Sequence, residues 1–170
     1  MEWFLLALPL LVCAVDARTE LVNVAAFKPV SGVRSGLDPA ALTDEDDLTW
    51  SATATMNDPY LKIDLGSEYL IKNLQLMLDQ NAGRNLINSM VRVGSSSVVT
   101  QNPVCIPIDD KYAPIMFEKN CNMKGRYIIL QKMGPGRTIR ANEIRAYVTM
   151  EIESTTAAPT TKAPTTVQPK

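Results

Sequence analysis

Ala41 to Trp50 reads ALTDEDDLTW, and Asp44, Glu45, Asp46 and Asp47 follow one another without interruption. Carboxylates packed this closely repel, and a hard cation relieves the repulsion. Calcium takes roughly six to eight oxygens, with backbone carbonyls of a tight loop among them. The loop lacks the central glycine and closing glutamate of a helix-loop-helix calcium motif. It is therefore either a cation loop of another kind or a solvated acidic loop. A second polar cluster lies in LDQNAGRNLINSMVRVG, Leu78 to Gly94, where Asp79, Gln80, Asn81, Arg84 and Asn85 crowd one short loop. Polar loops on a rigid sheet are common ligand sites. The third candidate is KMGPGRTIR, kinked at Gly134-Pro135-Gly136, with Lys132, Arg137 and Arg140. Such a loop could meet sulfate, sialate or another acidic partner through charge-assisted bonds. It also leads directly into Asn142-Glu143.

Absent residues narrow the chemistry further. The 170-residue chain has no histidine. That removes Ser-His-Asp and Cys-His catalysis and every histidine-based metal site. Paired carboxylates could still support glycosidase chemistry, but no pair or nucleophile constellation stands out, so the chain is not expected to be an enzyme. Charge is segregated. Asp38 to Asp64 holds seven acids and one base, while Lys119 to Arg145 holds seven bases and one acid. The overall balance is near neutral, which argues against nucleic-acid binding.

The compartment decides how the cysteines read. FLLALPLLVCAV, Phe4 to Val15, is an apolar run too short to span a bilayer, followed by a signal-peptidase site after Ala17. Residues 1–17 are thus expected to be a signal peptide and the protein to be secreted. No other segment is long and apolar enough for a transmembrane anchor. Without Glu2 and Asp16 the net charge becomes +1. Cys13 leaves with the signal, and Cys105 and Cys121 remain. In an oxidising compartment these two permit one intramolecular bridge, or else remain free or pair between molecules. From Ser154 to Lys170 the chain is rich in Thr, Pro and Ala and cannot bury a core. This stretch reads as an O-glycosylated, mucin-like stalk or as a plain linker. No Asn-X-Ser/Thr sequon is present.

The elements that must position these loops are strands. YLKIDLG sets Leu61, Ile63 and Leu65 against Tyr60, Lys62 and Asp64; NLQLML sets Leu74, Leu76 and Leu78 against Asn73, Gln75 and Met77. RYIILQK and EIRAYVTM are expected to alternate likewise, the latter with Ile144, Ala146 and Val148 inward. Period-two runs separated by Gly, Pro, Asn and Asp predict an all-β sandwich or barrel over residues 20–150. Trp50 is expected to pack in the core. Stacking of Trp50, Tyr60 or Tyr112 on a sugar is the alternative.

ALTDEDDLTW, PYLKIDLGSEYLIKNLQLML, VRVGSS and NEIRAYV, in that order, resemble the discoidin, or coagulation-factor C-type, family of galactose-binding-like domains. NPVC followed by FEKNCNMKGRYIIL resembles one branch more closely, the F-type lectins or fucolectins. The resemblance implies a jelly-roll β-sandwich with a ligand mouth at one end and a disulfide between Cys105 and Cys121. It also implies a structural calcium between the acidic loop and the entry to the last strand. By position, the ligands would come from Thr43, Asp44 and Glu45 with Asn142 and Glu143. Thr43 departs from the aspartate usual there, and Asp44 could supply the missing carboxylate.

F-type lectins hold fucose through one histidine and two arginines. This chain has no histidine, and the two arginine places fall on Leu78 and Asn85. Fucose recognition of the family's kind is therefore not expected. Another glycan at the same mouth would be met by Asp79, Gln80, Arg84 and Asn85. The expectation is a secreted lectin-like protein that binds an extracellular carbohydrate, glycoprotein or acidic glycoconjugate, with a structural calcium and an open question of homo-oligomers. The alternative is an extracellular matrix, coat or adhesion protein that uses the same scaffold without sugar.

Overall fold

A computed structural model of the chain describes residues 16–80 and 84–154. The expected signal segment up to Val15 and the Thr/Pro-rich tail beyond Ser154 lie outside the described residues. Leu21–Met150 forms one compact unit. The described ends, 16–20 and 151–154, belong to a second unit with the termini.

Among the described residues nine strands follow one another: β1 (Asp16–Asn23), β2 (Val30–Ser31), β3 (Ser51–Ala52), β4 (Tyr60–Met77), β5 (Ser89–Gly94), β6 (Val104–Ile108), β7 (Met116–Lys132), β8 (Arg140–Ala141) and β9 (Glu143–Ser154). The large sheet runs β1-β9-β4-β7-β5-β6, with β2 on the flank of β4, and β3 pairs β8 separately. β4 and β7 are long and pair antiparallel in three stretches, Tyr60–Asp64 with Tyr127–Gln131, Tyr69–Ile71 with Met123–Gly125 and Asn73–Met77 with Met116–Asn120. Register slips between Asp64 and Tyr69, beside Gly66 at φ 81°. Such a bulge bends a strand, so the two long strands curl the antiparallel sheet into a β-sandwich.

The core follows the period-two reading. Leu61, Ile63, Leu65, Leu74, Leu76, Leu78, Ile144, Ala146 and Val148 are all buried in one cluster. RYIILQK breaks the expected alternation: Ile128, Ile129, Leu130, Gln131 and Lys132 are buried in succession. The cause is position, because β7 lies between β4 and β5 and Ile129 stands in register between Lys62 and Arg92, on the outer face. The stems of long charged side chains cover apolar surface while their heads stay wet. Cys105 on β6 and Cys121 on β7 are bonded, with their Cα atoms 5.6 Å apart. Closing a loop of this size contributes about 3 kcal/mol in the chain-entropy view.

Candidate binding mouth and acidic corner

The acidic loop is shaped before any ligand is considered. Asp38 caps a short 3-10 turn, Pro39–Leu42, by accepting from the Ala40 amide at 2.9 Å. Leu42 is wholly buried and anchors the turn in the core. Glu45 holds a left-handed φ of 67°, a conformation few non-glycine residues adopt. Asp44 and Asp46 then each close a small turn, Asp44 Oδ1 on the Asp46 amide at 3.0 Å and Asp46 Oδ1 on the Leu48 amide at 2.9 Å.

Oxygens converge inside this loop. The Thr49 hydroxyl lies 3.2 and 3.0 Å from the two Asp44 carboxylate oxygens, 3.0 Å from the Asp46 carbonyl and 3.4 Å from that of Ala41. One hydroxyl has one proton, so it can satisfy only one of these four acceptors at a time. Glu143, at the start of β9, is fully buried, and neither carboxylate oxygen meets an N–H or hydroxyl donor among the described residues. Burial pushes its carboxyl up to about 8, against the pull of Arg145, while the charges of Asp44 and Glu45 and a side-chain hydrogen bond to Asp44, which the protonated carboxyl donates, push it further up. Asn142 Oδ1 is likewise buried without a donor. Two bonds fasten the loop to the entry of β9, Asn142 Nδ2 to the Asp47 carbonyl at 2.9 Å and Arg145 to the Asp47 carboxylate at 2.7 Å, and the Asn142 amide ties that entry to the end of β4 at the Met77 carbonyl, 2.8 Å.

Of the five residues expected to ligate a metal, Asp44 and Glu143 face the same corner. Thr43 does not join them: its hydroxyl donates to the Lys28 carbonyl at 2.9 Å and its own carbonyl accepts from the Phe27 amide at 2.6 Å. The Glu45 carboxylate accepts from Asn23 Nδ2. No three His, Cys, Asp or Glu side chains form a metal group among the described residues. The corner instead combines carboxylates with a hydroxyl and carbonyls, and Thr49 was missed because only the folded loop turns it inward.

The polar loop divides. Asp79 is largely buried and pairs with Arg140 at 3.2 Å. With the exposed Gln80 it lines a cavity of about 350 Å³ that also takes in Asp47, Leu48 and Ile115. Arg84 and Asn85 go elsewhere. Arg84 Nε donates to the Ala113 carbonyl at 2.7 Å, and the Ala113 amide returns a bond to the Arg84 carbonyl at 3.0 Å. Asn85 Oδ1 closes a turn on the Ile87 amide at 3.2 Å, and its carbonyl accepts from Lys132 Nζ at 2.6 Å. Asn81 to Gly83 lie outside the described residues.

Two further expectations are corrected here. Trp50 is not a core residue. It is 37 % exposed, and the Arg140 guanidinium lies 3.5 Å from its ring centroid. The pairing of Ala52 with Arg140 across β3 and β8 brings the two together. The basic segment is also not one charged patch. Lys132 is buried, which pushes its ammonium down, with Arg137 adding to the effect. Arg137 bridges Met56, each amide donating to the other's carbonyl, at 2.8 and 3.0 Å. Arg140 alone reaches the mouth, where it lines a second cavity of about 300 Å³ with Arg34, Trp50, Ala52, Thr55 and Thr138. The opposed acidic and basic stretches carried the signal for one pair, Asp47 with Arg145, while Asp79, which pairs with Arg140, lies outside the acidic stretch.

No protein-family profile matches the chain, and no curated protein matches it. Solved structures do. A fucolectin from striped bass (Morone saxatilis) serum superposes with a TM-score of 0.67 at 20% identity, over 74% of this chain and 47% of the bass chain. This chain therefore spans about half the length of that lectin. A Streptococcus pneumoniae fucose-binding module gives 0.62 at 14% identity, over 75% of this chain and 98% of the module. A Clostridium perfringens module, solved in complex with GlcNAc-alpha-1,4-galactose, gives 0.60 at 19% identity, over 76% and 95%. The fold is thus that of F-type lectins and related carbohydrate-binding modules, the galactose-binding-like jelly roll.

Proposed function

We propose that the protein is a secreted lectin-like binder whose mouth, between Trp50, Asp79, Gln80 and Arg140, takes a carbohydrate. The observation that carries this reading is the arrangement of those four residues. They line two adjoining cavities and are contributed by the end of the acidic loop, the segment after β4 and the start of β8. Amphipathic walls with a few fixed polar groups are what sugar pockets need. The jelly-roll neighbours named for fucose or for GlcNAc-alpha-1,4-galactose support the same reading. Fucose held by a histidine and two arginines is not part of it, because Leu78 is buried and Asn85 is bonded into its own turn.

Calcium completes the proposal. Asp44, Thr49 and Glu143, with the carbonyls of Ala41 and Asp46, form a donor set of hard oxygens suited to that ion. The buried Glu143 carboxyl, which no donor meets and which shares its corner with Asp44, and the crowding around the Thr49 hydroxyl fit a cation better than they fit a bare loop. Thr43 and Glu45 are left out of the set because their side chains are bonded elsewhere, and Asn142 braces Asp47. When bound, the ion supplies charge neutralisation and rigidity. No catalysis is proposed.

A second reading rests on Arg84 and Asn85, whose polar groups are spent inside the fold. If the sugar chemistry has been removed rather than rewritten, the domain is a matrix, coat or adhesion scaffold. A glycan array probed with and without a calcium chelator separates the two. Binding to a defined glycan supports the lectin, and silence across the array at high protein concentration supports the scaffold.

A further inference from the structure

We propose that the cavity between Arg34, Trp50 and Arg140 is a subsite for an acidic sugar residue, one bearing a carboxylate or a sulfate. The inference deepens the lectin reading and rests on it. The charged groups lining this cavity are the two arginines, and no carboxylate faces it among the described residues. Arg140 has its counter-ion, Asp79, which lines the neighbouring cavity instead. Arg34 has no hydrogen bond or ion pair on its guanidinium among the described residues. Arg140 Nε is buried and also lacks an acceptor. The pocket is therefore net positive, with one free planar fork at its rim. That fork matches the paired oxygens of a carboxylate or sulfate better than it matches scattered hydroxyls.

The remaining walls suit the rest of a sugar ring. Trp50 offers partly exposed aromatic surface beside the guanidinium. Thr55 and Thr138 share a hydrogen bond at 2.9 Å and leave oxygen lone pairs for ring hydroxyls. Ala52 adds no bulk. A volume of about 300 Å³, at the small end of ligand pockets, leaves room for a single sugar unit. The Arg140–Asp79 pair divides this pocket from the one carrying Asp79 and Gln80. An oligosaccharide would place its acidic residue on the Arg34 side and a neutral neighbour on the Asp79 side.

The test uses intrinsic fluorescence. The chain has two tryptophans, Trp3 and Trp50; Trp3 falls in the expected signal segment, so in the secreted protein Trp50 is the reporting indole, and Trp3→Phe gives the same reporter wherever the full chain is used. The protein is titrated with methyl glucuronide, N-acetylneuraminate and galactose 6-sulfate, then with methyl glucoside and galactose, then with inorganic sulfate. Saturable changes are expected with one or more of the acidic sugars, at least tenfold weaker changes with the neutral ones, and weakening of the response as salt rises. Arg34→Gln, at an exposed position, is expected to fold normally and to lose roughly tenfold or more in affinity for the acidic sugar, as for a charge-assisted bond. Equal binding of neutral and acidic sugars, or acidic binding unchanged in Arg34→Gln, overturns the anionic subsite and leaves the lectin reading standing. Inorganic sulfate binding as tightly as the sulfated sugar overturns the sugar subsite in favour of a bare anion site. No response to any of the sugars, together with a silent glycan array, overturns both.

Discussion

The acidic loop and the loop after β4 start from the same material, a short run of polar side chains on the edge of a sandwich. They end in opposite states. In the second loop, Arg84 and Asn85 have found their partners inside the fold, on Ala113, Ile87 and Lys132. In the acidic corner, Glu143 is buried with no donor to either oxygen, and four acceptors compete for the proton of Thr49. A buried polar group normally has a partner. The Arg84–Asn85 half of the loop is therefore structure, and the corner is where the proposed ion would bind.

Calcium removal breaks this comparison most forcefully. An ion held at about a hundred times its dissociation constant stabilises by about 2.7 kcal/mol. For a domain of this size that corresponds to a melting temperature roughly 10 °C higher. Differential scanning calorimetry should show that rise with calcium and its loss with EDTA. Glu143→Gln should abolish the response while melting no lower than the wild type in EDTA, since without the ion a carboxyl pushed up to about 8 is largely protonated at neutral pH and the amide replaces one neutral group with another. If EDTA leaves the wild-type melting temperature unchanged, the corner is no cation site and the contrast with the polar loop disappears.

Arg84 tests the other side. Arg84→Ala orphans the Ala113 carbonyl and unties the loop, which should cost about 1–3 kcal/mol in chemical denaturation. Glycan binding at saturating calcium should be unchanged, because Arg84 does not line either cavity described above. A glycan affinity that falls with Arg84 while stability holds would return Arg84 to the ligand site and erase the distinction.

A smaller effect is expected from the pair that joins the two cavities. Asp79→Asn keeps the shape but removes the Arg140 counter-ion. Stability should fall by no more than about 1 kcal/mol, the usual scale of a partly exposed pair. The freed Arg140 charge should strengthen acidic-sugar binding severalfold, measurable in the Trp50 titration. Unchanged or weaker binding would mean that Asp79 orients Arg140 rather than balancing it.

How much of this was legible beforehand follows from the kind of rule each feature obeys. Leu61, Ile63 and Leu65 could be placed because a half-buried strand has period two. Ile128 to Lys132 could not, because a central strand covered on both faces has no period to read. Asp44 and Glu143 followed from the resemblance of their segments to a known pattern. Thr49 did not, since its inward turn depends on the left-handed Glu45 and the linked Asp44 and Asp46 turns. Trp50 read as core on hydrophobicity alone. Its partner Arg140 lies far along the chain, and only the β3–β8 register places the guanidinium on its ring. Long-range pairing is what composition and local pattern leave out.

Asp64 offers the mildest test, since it is an acid that already has what Glu143 lacks. Its carboxylate takes two bonds from Arg126, at 2.7 and 2.8 Å, and a third from the Gly66 amide at 2.9 Å. The Arg126 bond holds its carboxyl below the ordinary value of 3.8, against a smaller opposing contribution from burial. A carboxyl whose folded pKa is depressed stabilises the fold above its unfolded pKa and loses that contribution as pH falls through the folded one. In EDTA, where the acidic corner contributes no ion, stability should therefore decline from about pH 4 downward. Asp64→Asn should flatten the part of that slope due to this group. Its loss of stability at neutral pH should be small, because Arg126 is well exposed and water screens the pair. Denaturation midpoints measured at pH 7, 4 and 3 in both proteins give the comparison. A slope as steep in Asp64→Asn as in the wild type would show that the pair at the bend of β4 is not what acid removes.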